Sequence, residues 1–182
     1  MALIFLDRDG VINRFPGKGS YVTRQEDFHF LPCIFEAIKL LTEAGHEIFV
    51  ISNQGCVSRG LITKKALELM TKNMTDEIRK HGGDIQKVYY CSHKESDLCD
   101  CKKPKTKLLL EAIGGRPLGM NEVYFIGDSE EDMQAAVNLG CRGVLLLSGR
   151  TSAGDLLHFP VKHETIKKDL YEAALWILQK KS

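Results

Sequence analysis

The chain lacks a charge excess: 25 basic residues stand against 24 acidic ones in 182. With no global basic field and no polybasic block, neither nucleic acid nor a membrane surface is an expected partner, and any anion site must be local. A long hydrophobic run is also missing. No apolar stretch approaches the ~20 residues that span a bilayer, and Met1 to Leu6 has neither the basic segment nor the small-residue cleavage site of a signal peptide. A cytoplasmic monomer is expected. Cysteine is present but not spaced as a disulfide framework. Three of the six cysteines fall at 91, 99 and 101, and in a reducing compartment such clustering favours a metal. Cys33, Cys56 and Cys141 are scattered and read as plain thiols.

What remains is ordinary for a globular protein: 43% hydrophobic and 27% charged residues, with enough chain for one well-cored domain over 1–182. The pattern alternates. Apolar strands are expected at 2–6, 47–51, 88–90, 122–126 and 143–147. Between them fall helices at 34–44, 63–81, 105–113 and 132–139, with a last one at 170–178. The stripe Leu67, Met70, Met74 and Ile78 reads as core. Short strand-helix connections imply an α/β fold with a parallel sheet covered on both faces, whose ligands bind beyond the carboxyl ends of the strands.

Polar groups collect at those ends. Ala2 to Leu6 runs into Asp7-Arg8-Asp9-Gly10, the second strand into Ser52-Asn53-Gln54-Gly55, and the fourth into Gly127-Asp128-Ser129. Asp7 and Asp9 are two apart and can share a face on an extended chain, where they repel unless a cation sits between them. Taken singly, each has a plainer reading. The first is also a common turn sequence, Ser52 fits a strand-end cap, Lys103 a solvated lysine in the run 102–107, and Asp128 a helix N-cap. Cys91-x-His93-x5-Cys99-x-Cys101 offers three thiolates and an imidazole within eleven residues, which suits a closed, structural zinc site.

The ordered set Asp7-Arg8-Asp9-Gly10, Ser52, Lys103 and Gly127-Asp128, spread over residues 3 to 147, resembles the haloacid dehalogenase (HAD) superfamily of phosphatases. The resemblance implies a Rossmann-like three-layer αβα fold, a catalytic Mg²⁺ and phosphoryl transfer through an aspartyl-phosphate. Asp7 would be the nucleophile, Asp9 the acid and base, and Ser52 and Lys103 the phosphate holders. Asp7, Asp9 (through its backbone carbonyl) and Asp128 would hold Mg²⁺. The gaps between these motifs are already filled by strand and helix, which leaves no room for a large cap domain.

The zinc loop is similar to that of a subgroup containing heptose 1,7-bisphosphate phosphatases and histidinol-phosphate phosphatases. The spacing from His93 to Cys99 is closer to the latter. Gly19 to Val22, Ser52 to Gly55 with Ser58-Arg59-Gly60, and Glu131 to Ala136 look more like the former, which implies a sugar bisphosphate as substrate. Its contacts would be Lys18, Gly19, Ser20, Tyr21, Asn53, Gln54, Gly55, Arg59 and Lys102. Two departures bear on the substrate: Lys102 stands where the subgroup usually has Arg, and Ser129 where Lys is common. Two other readings remain at this point, a nucleic-acid 3′-phosphatase and a non-catalytic zinc-stabilised module.

Overall fold

A computed structural model describes residues 1–180. Five strands follow the apolar runs: β1 (Leu3–Leu6), β2 (Glu47–Asn53), β3 (Lys87–Cys91), β4 (Val123–Gly127) and β5 (Arg142–Leu146). A sixth, β6 (Thr165–Lys167), was not among the expected strands. All pair in parallel in the order β3-β2-β1-β4-β5-β6. The strand that runs into Asp7 therefore lies inside the sheet, between β2 and β4.

Alternation along β1 assigns the two cores. Ala2, Ile4 and Leu6 face one side, together with Ile48, Val50, Ile126 and Val144. They meet α1 (Ile34–Glu43), α2 (Lys64–Lys80) and α5 (Leu170–Gln179). Leu3 and Phe5 face the other side with Phe49, Ile51 and Phe125, under α3 (Lys107–Ile113) and α4 (Glu130–Leu139). β1 is buried on both faces, which is why its sequence is a continuous apolar run rather than an alternating one. The expected stripe on α2 is core: Leu67, Met70, Met74 and Ile78 are its buried residues.

Helix ends follow local chemistry. Thr63 caps α2 by accepting from the Ala66 amide, Ser129 caps α4 through Asp132, and Asp169 caps α5 through Glu172. Gly140 closes α4 at φ 82°. The stretch 13–27 is a loop that lies over the end of β1, tied by bridges from Asn13 to Asp9 and to Phe30. Among the described residues there is no cap domain: β1 and β2 are separated by this loop and α1, and β2 and β3 by α2. No helix among the described residues is long and apolar enough to cross a membrane.

Candidate active site

The carboxyl ends of β1, β2 and β4 meet in one cleft. It is lined by Asp7, Asp9, Phe15, Pro16, Ser20, Tyr21, Ser52, Asn53, Lys103, Asp128, Ser129, Glu131, Asp132 and Arg150. It is a small, open recess of about 60 Å³, with Asp7, Asp128 and Asp132 among its walls.

At the centre is Lys103, only 4% exposed. Its Nζ donates to Asp7 Oδ1 at 2.7 Å, Asp132 Oδ1 at 2.6 Å and the Ile51 carbonyl at 2.9 Å. Burial alone disfavours the ammonium, but Asp132 and Asp7 outweigh it and hold the pKa above the ordinary lysine value. Lys103 is not a solvated lysine. Its backbone is fixed as well, because Asn53 donates to the Lys103 carbonyl at 3.2 Å and accepts from the Lys103 amide at 3.0 Å. One side chain at the end of β2 thus sets where the lysine starts.

Asp7, Asp128 and Asp132 each bring a carboxylate oxygen to within 4.8 Å of the others, and all three are buried. Burial, then the neighbouring Asp132 and Asp9 charges, raise the Asp7 pKa to about 6, with Lys103 opposing. Asp128 is raised well above its ordinary value by burial and then by Asp132 and Asp7. Three carboxylates against one ammonium leave the cluster two negative charges in excess when ionised, which a single divalent cation would offset. The donor set, all hard oxygen, suits Mg²⁺.

The room for Asp128 is made by glycine. Gly10 sits at φ +96°, and a Cβ there would lie 2.0 Å from Asp128 Oδ2; at Gly149 it would lie 1.9 Å from the same atom. The Arg150 amide donates to that oxygen. Asp132 is committed on both sides, to Lys103 through Oδ1 and to the Ser129 hydroxyl through Oδ2 at 2.6 Å.

Asp9 lines the cleft beside Asp7, but its carboxylate is gripped from behind. Arg8 donates from Nε at 3.1 Å and from Nη2 at 2.9 and 3.0 Å, Asn13 Nδ2 at 2.8 Å and Gln54 Nε2 at 2.7 Å. Gln54 also donates to the Ser52 hydroxyl at 3.2 Å.

Of the residues singled out in the sequence, Asp7, Asp9, Ser20, Tyr21, Ser52, Asn53, Lys103 and Asp128 lie together on the cleft wall. Lys18, Gly19, Gln54, Gly55, Arg59 and Lys102 lie outside that lining. Gln54 is fully buried behind Asp9, and a Cβ at Gly55 would come within 3.1 Å of the His93 carbonyl oxygen and 3.5 Å of the Tyr21 hydroxyl. Lys102 donates to Glu95 at 2.8 Å. It borders a second groove with Lys94, Lys105 and Leu98, joined to the cleft through Lys103 and Glu131. Phe15, Pro16, Ser129, Glu131, Asp132 and Arg150 were not foreseen as site residues. Asp132 carried a usable signal, an acid in the first turn of the helix that follows Asp128. Arg150 carried none.

Next to the cleft, Cys91, His93, Cys99 and Cys101 bring their ligand atoms to within 4.8 Å of one another. The Cys91 sulfur is 3.5 Å from Cys99 Sγ and 3.2 Å from Cys101 Sγ, and His93 Nδ1 is 3.2 Å from Cys101 Sγ. Tetrahedral Zn–S bonds of about 2.3 Å place sulfurs roughly 3.8 Å apart, so the cluster needs only small adjustments to close on zinc.

The HAD-hydrolase-like family matches residues 100–173. A D-glycero-beta-D-manno-heptose-1,7-bisphosphate 7-phosphatase of Helicobacter pylori is 37% identical over 145 residues, covering 79% of this chain and 82% of the relative. The chain belongs to this HAD-like phosphatase family. The alpha-anomer 7-phosphatase of Campylobacter jejuni is 36% identical over 152 residues, 84% of this chain and 86% of that one. Among solved structures, the D,D-heptose 1,7-bisphosphate phosphatase from B. bronchiseptica, complexed with magnesium and phosphate, superposes with a TM-score of 0.90. It is 29% identical, and the match covers 99% of both chains. As a HAD-like phosphatase the protein is a phosphoric monoester hydrolase, of a superfamily that uses Mg²⁺.

Proposed function

We propose that this phosphatase removes a phosphate from a sugar bisphosphate, D-glycero-D-manno-heptose 1,7-bisphosphate, with Mg²⁺ in the cleft and a structural zinc in the neighbouring loop. The observation that carries the reading is the buried cluster of Asp7, Asp128 and Asp132 around Lys103, short by two positive charges, at the end of β1. Asp7 and Asp128, with the Asp9 backbone carbonyl, would hold the Mg²⁺, since both Asp132 oxygens are engaged elsewhere. Once bound, the ion neutralises charge on the nucleophile and the phosphoryl group, so that one anion can approach another.

The chain's own residues do the rest. An Asp7 oxygen forms a bond to phosphorus as the ester P–O bond breaks, and the electron pair leaves on the sugar oxygen. Asp9 gives that oxygen a proton and later takes one from the water that hydrolyses the aspartyl-phosphate, restoring Asp7. The Ser52 hydroxyl and the Lys103 ammonium steady the transferring oxygens. The two phosphates sit at opposite ends of the sugar, so with one at Asp7 the second lies away from the carboxylate cluster. The adjoining groove, with Lys94, Lys102 and Lys105 on its walls, offers cations where that phosphate would emerge, and Arg150 stands at the cleft itself. The names and coverage of the relatives support the same substrate. Cys91, His93, Cys99 and Cys101 would hold the zinc.

Turnover with Mg²⁺ of heptose 1,7-bisphosphate against histidinol phosphate tests the reading. The bisphosphate is expected to have the higher kcat/KM. A higher value for histidinol phosphate would shift the substrate to the enzymes with the similar His93 to Cys99 spacing.

A further inference from the structure

Arg8 is the largest side chain with no exposure at all. It leaves the end of β1 between the two motif acids and runs away from the cleft, under the loop that covers the strand. Its guanidinium lies 5.8 Å from the ring centres of both Phe28 and Tyr90, and its Nη1 is 4.0 Å from Met70 Sδ on α2. A buried guanidinium is costly unless well paired, and an apolar side chain of similar length would fill the same space at no such cost. Packing therefore does not account for a charge here. The pairing does: three of the five hydrogen bonds received by the Asp9 carboxylate come from Arg8, two from the same Nη2.

Resting on the reading of Asp9 as acid and base, we propose that Arg8 is a positioning residue that fixes the Asp9 carboxylate for proton transfer to the leaving oxygen. The fork gives Nε to Oδ1 and Nη2 to both carboxylate oxygens, so it constrains the orientation of the group as well as its charge. Asn13 on one oxygen and Gln54 on the other complete the hold. The Asp9 side chain keeps 15% exposure on the cleft side, which is the face a leaving oxygen or a water would reach. A lysine in place of Arg8 preserves the charge and loses the fork.

The test separates this role from a purely structural one by the leaving group. A sugar alkoxide must be protonated as it departs, whereas nitrophenolate leaves without a proton. In Arg8→Lys, single-turnover cleavage of heptose 1,7-bisphosphate should fall about a hundredfold, the scale of a misplaced catalytic group. With p-nitrophenyl phosphate the same variant should release about one equivalent of nitrophenolate per site at the wild-type rate. Slow turnover should follow, because the aspartyl-phosphate waits for a base. Equal slowing of both cleavage steps, or no burst, overturns the proposal. Asp9→Asn is the control. If it keeps alkyl-ester cleavage, the role of Asp9 itself fails, whereas the leaving-group split in Asp9→Asn without one in Arg8→Lys removes Arg8 alone. Should Arg8→Lys not fold, Asn13→Leu removes one donor to Asp9 together with a buried Oδ1 that has no partner. It should show the same split at about tenfold, and equal effects on the two substrates overturn the proposal there too.

Discussion

On the proposed mechanism, Asp7→Asn exchanges the attacking carboxylate for a weakly nucleophilic, uncharged amide and weakens metal binding in a single step. Asp7→Asn should lower turnover on any phosphate ester by at least about a thousandfold, a loss measured against wild type at saturating Mg²⁺. The same residue leaves a mark on stability. Its folded pKa, raised to about 6 by burial and by Asp132 and Asp9, exceeds the ordinary value of 3.8. The folded protein therefore binds the extra proton between those values. That contribution is complete below about pH 3.8 and is lost as pH rises through about 6. In chelator, the urea-derived stability of wild type relative to Asp7→Asn should fall by on the order of 2–3 kcal/mol from pH 4 to pH 7. A difference that stays flat over that range contradicts the assignment. Gly10→Ala should act on the partner acid: its Cβ would overlap Asp128 Oδ2 and the backbone is at positive φ. Titration calorimetry should show Mg²⁺ affinity reduced at least tenfold. At this scale the sequence was informative where a strand delivers a residue to its own end, as with Asp7, Ser52 and Asp128. Arg150 reaches the cleft from the loop after β5, and Gln54 turns behind Asp9. Both placements depend on contacts between segments far apart in the chain.

The loop that carries the Cys/His cluster begins at the last residue of β3, and its final cysteine, Cys101, directly precedes Lys102 and Lys103. Spacing alone suggests that the metal fixes both lysines. The structure divides them: Lys102 turns to Glu95 within the loop region, while Asn53 brackets the backbone of Lys103 from β2. Two variants should therefore behave differently. Cys99→Ser should lose the zinc, about one per chain in wild type by metal analysis, and keep its far-UV circular dichroism. It should act mainly by raising KM for the bisphosphate through the Lys102 groove. Asn53→Ala should instead lower kcat, on the order of tenfold or more, because Lys103, proposed to hold the phosphoryl group, loses its anchor. A zinc-free Cys99→Ser with an unchanged KM would make the loop a bystander. β6 carries no signal of its own in the sequence. β6 is three half-buried residues, Thr165, Ile166 and Lys167, with no apolar run, and it exists because the edge of β5 is there to pair with. Longer strands are announced by their own side chains; this one is announced only by its neighbour.

Across the whole molecule the pattern of apolar strands and amphipathic helices was enough to foresee parallel layers, because each side chain's face follows from the period of its element. The order of strands was not contained in that pattern. It places β1 and β4 inside the sheet and β3 and β6 at its margins, and this has a consequence for how the protein comes apart. Backbone amides in the middle of a doubly covered sheet exchange with solvent only on global opening, whereas margins and loops open at lower cost. The peptide groups of Leu3 to Leu6, and with them the backbone that leads into Asp7, belong to the slowest-exchanging set. Deuterium uptake should be fastest in residues 13–27 and 94–100, and slowest in β1 and β4. Residual hydrolysis of a small aryl phosphate should then track the global unfolding transition point for point on heating, while bisphosphate selectivity, which depends on the loops, fades at a lower temperature.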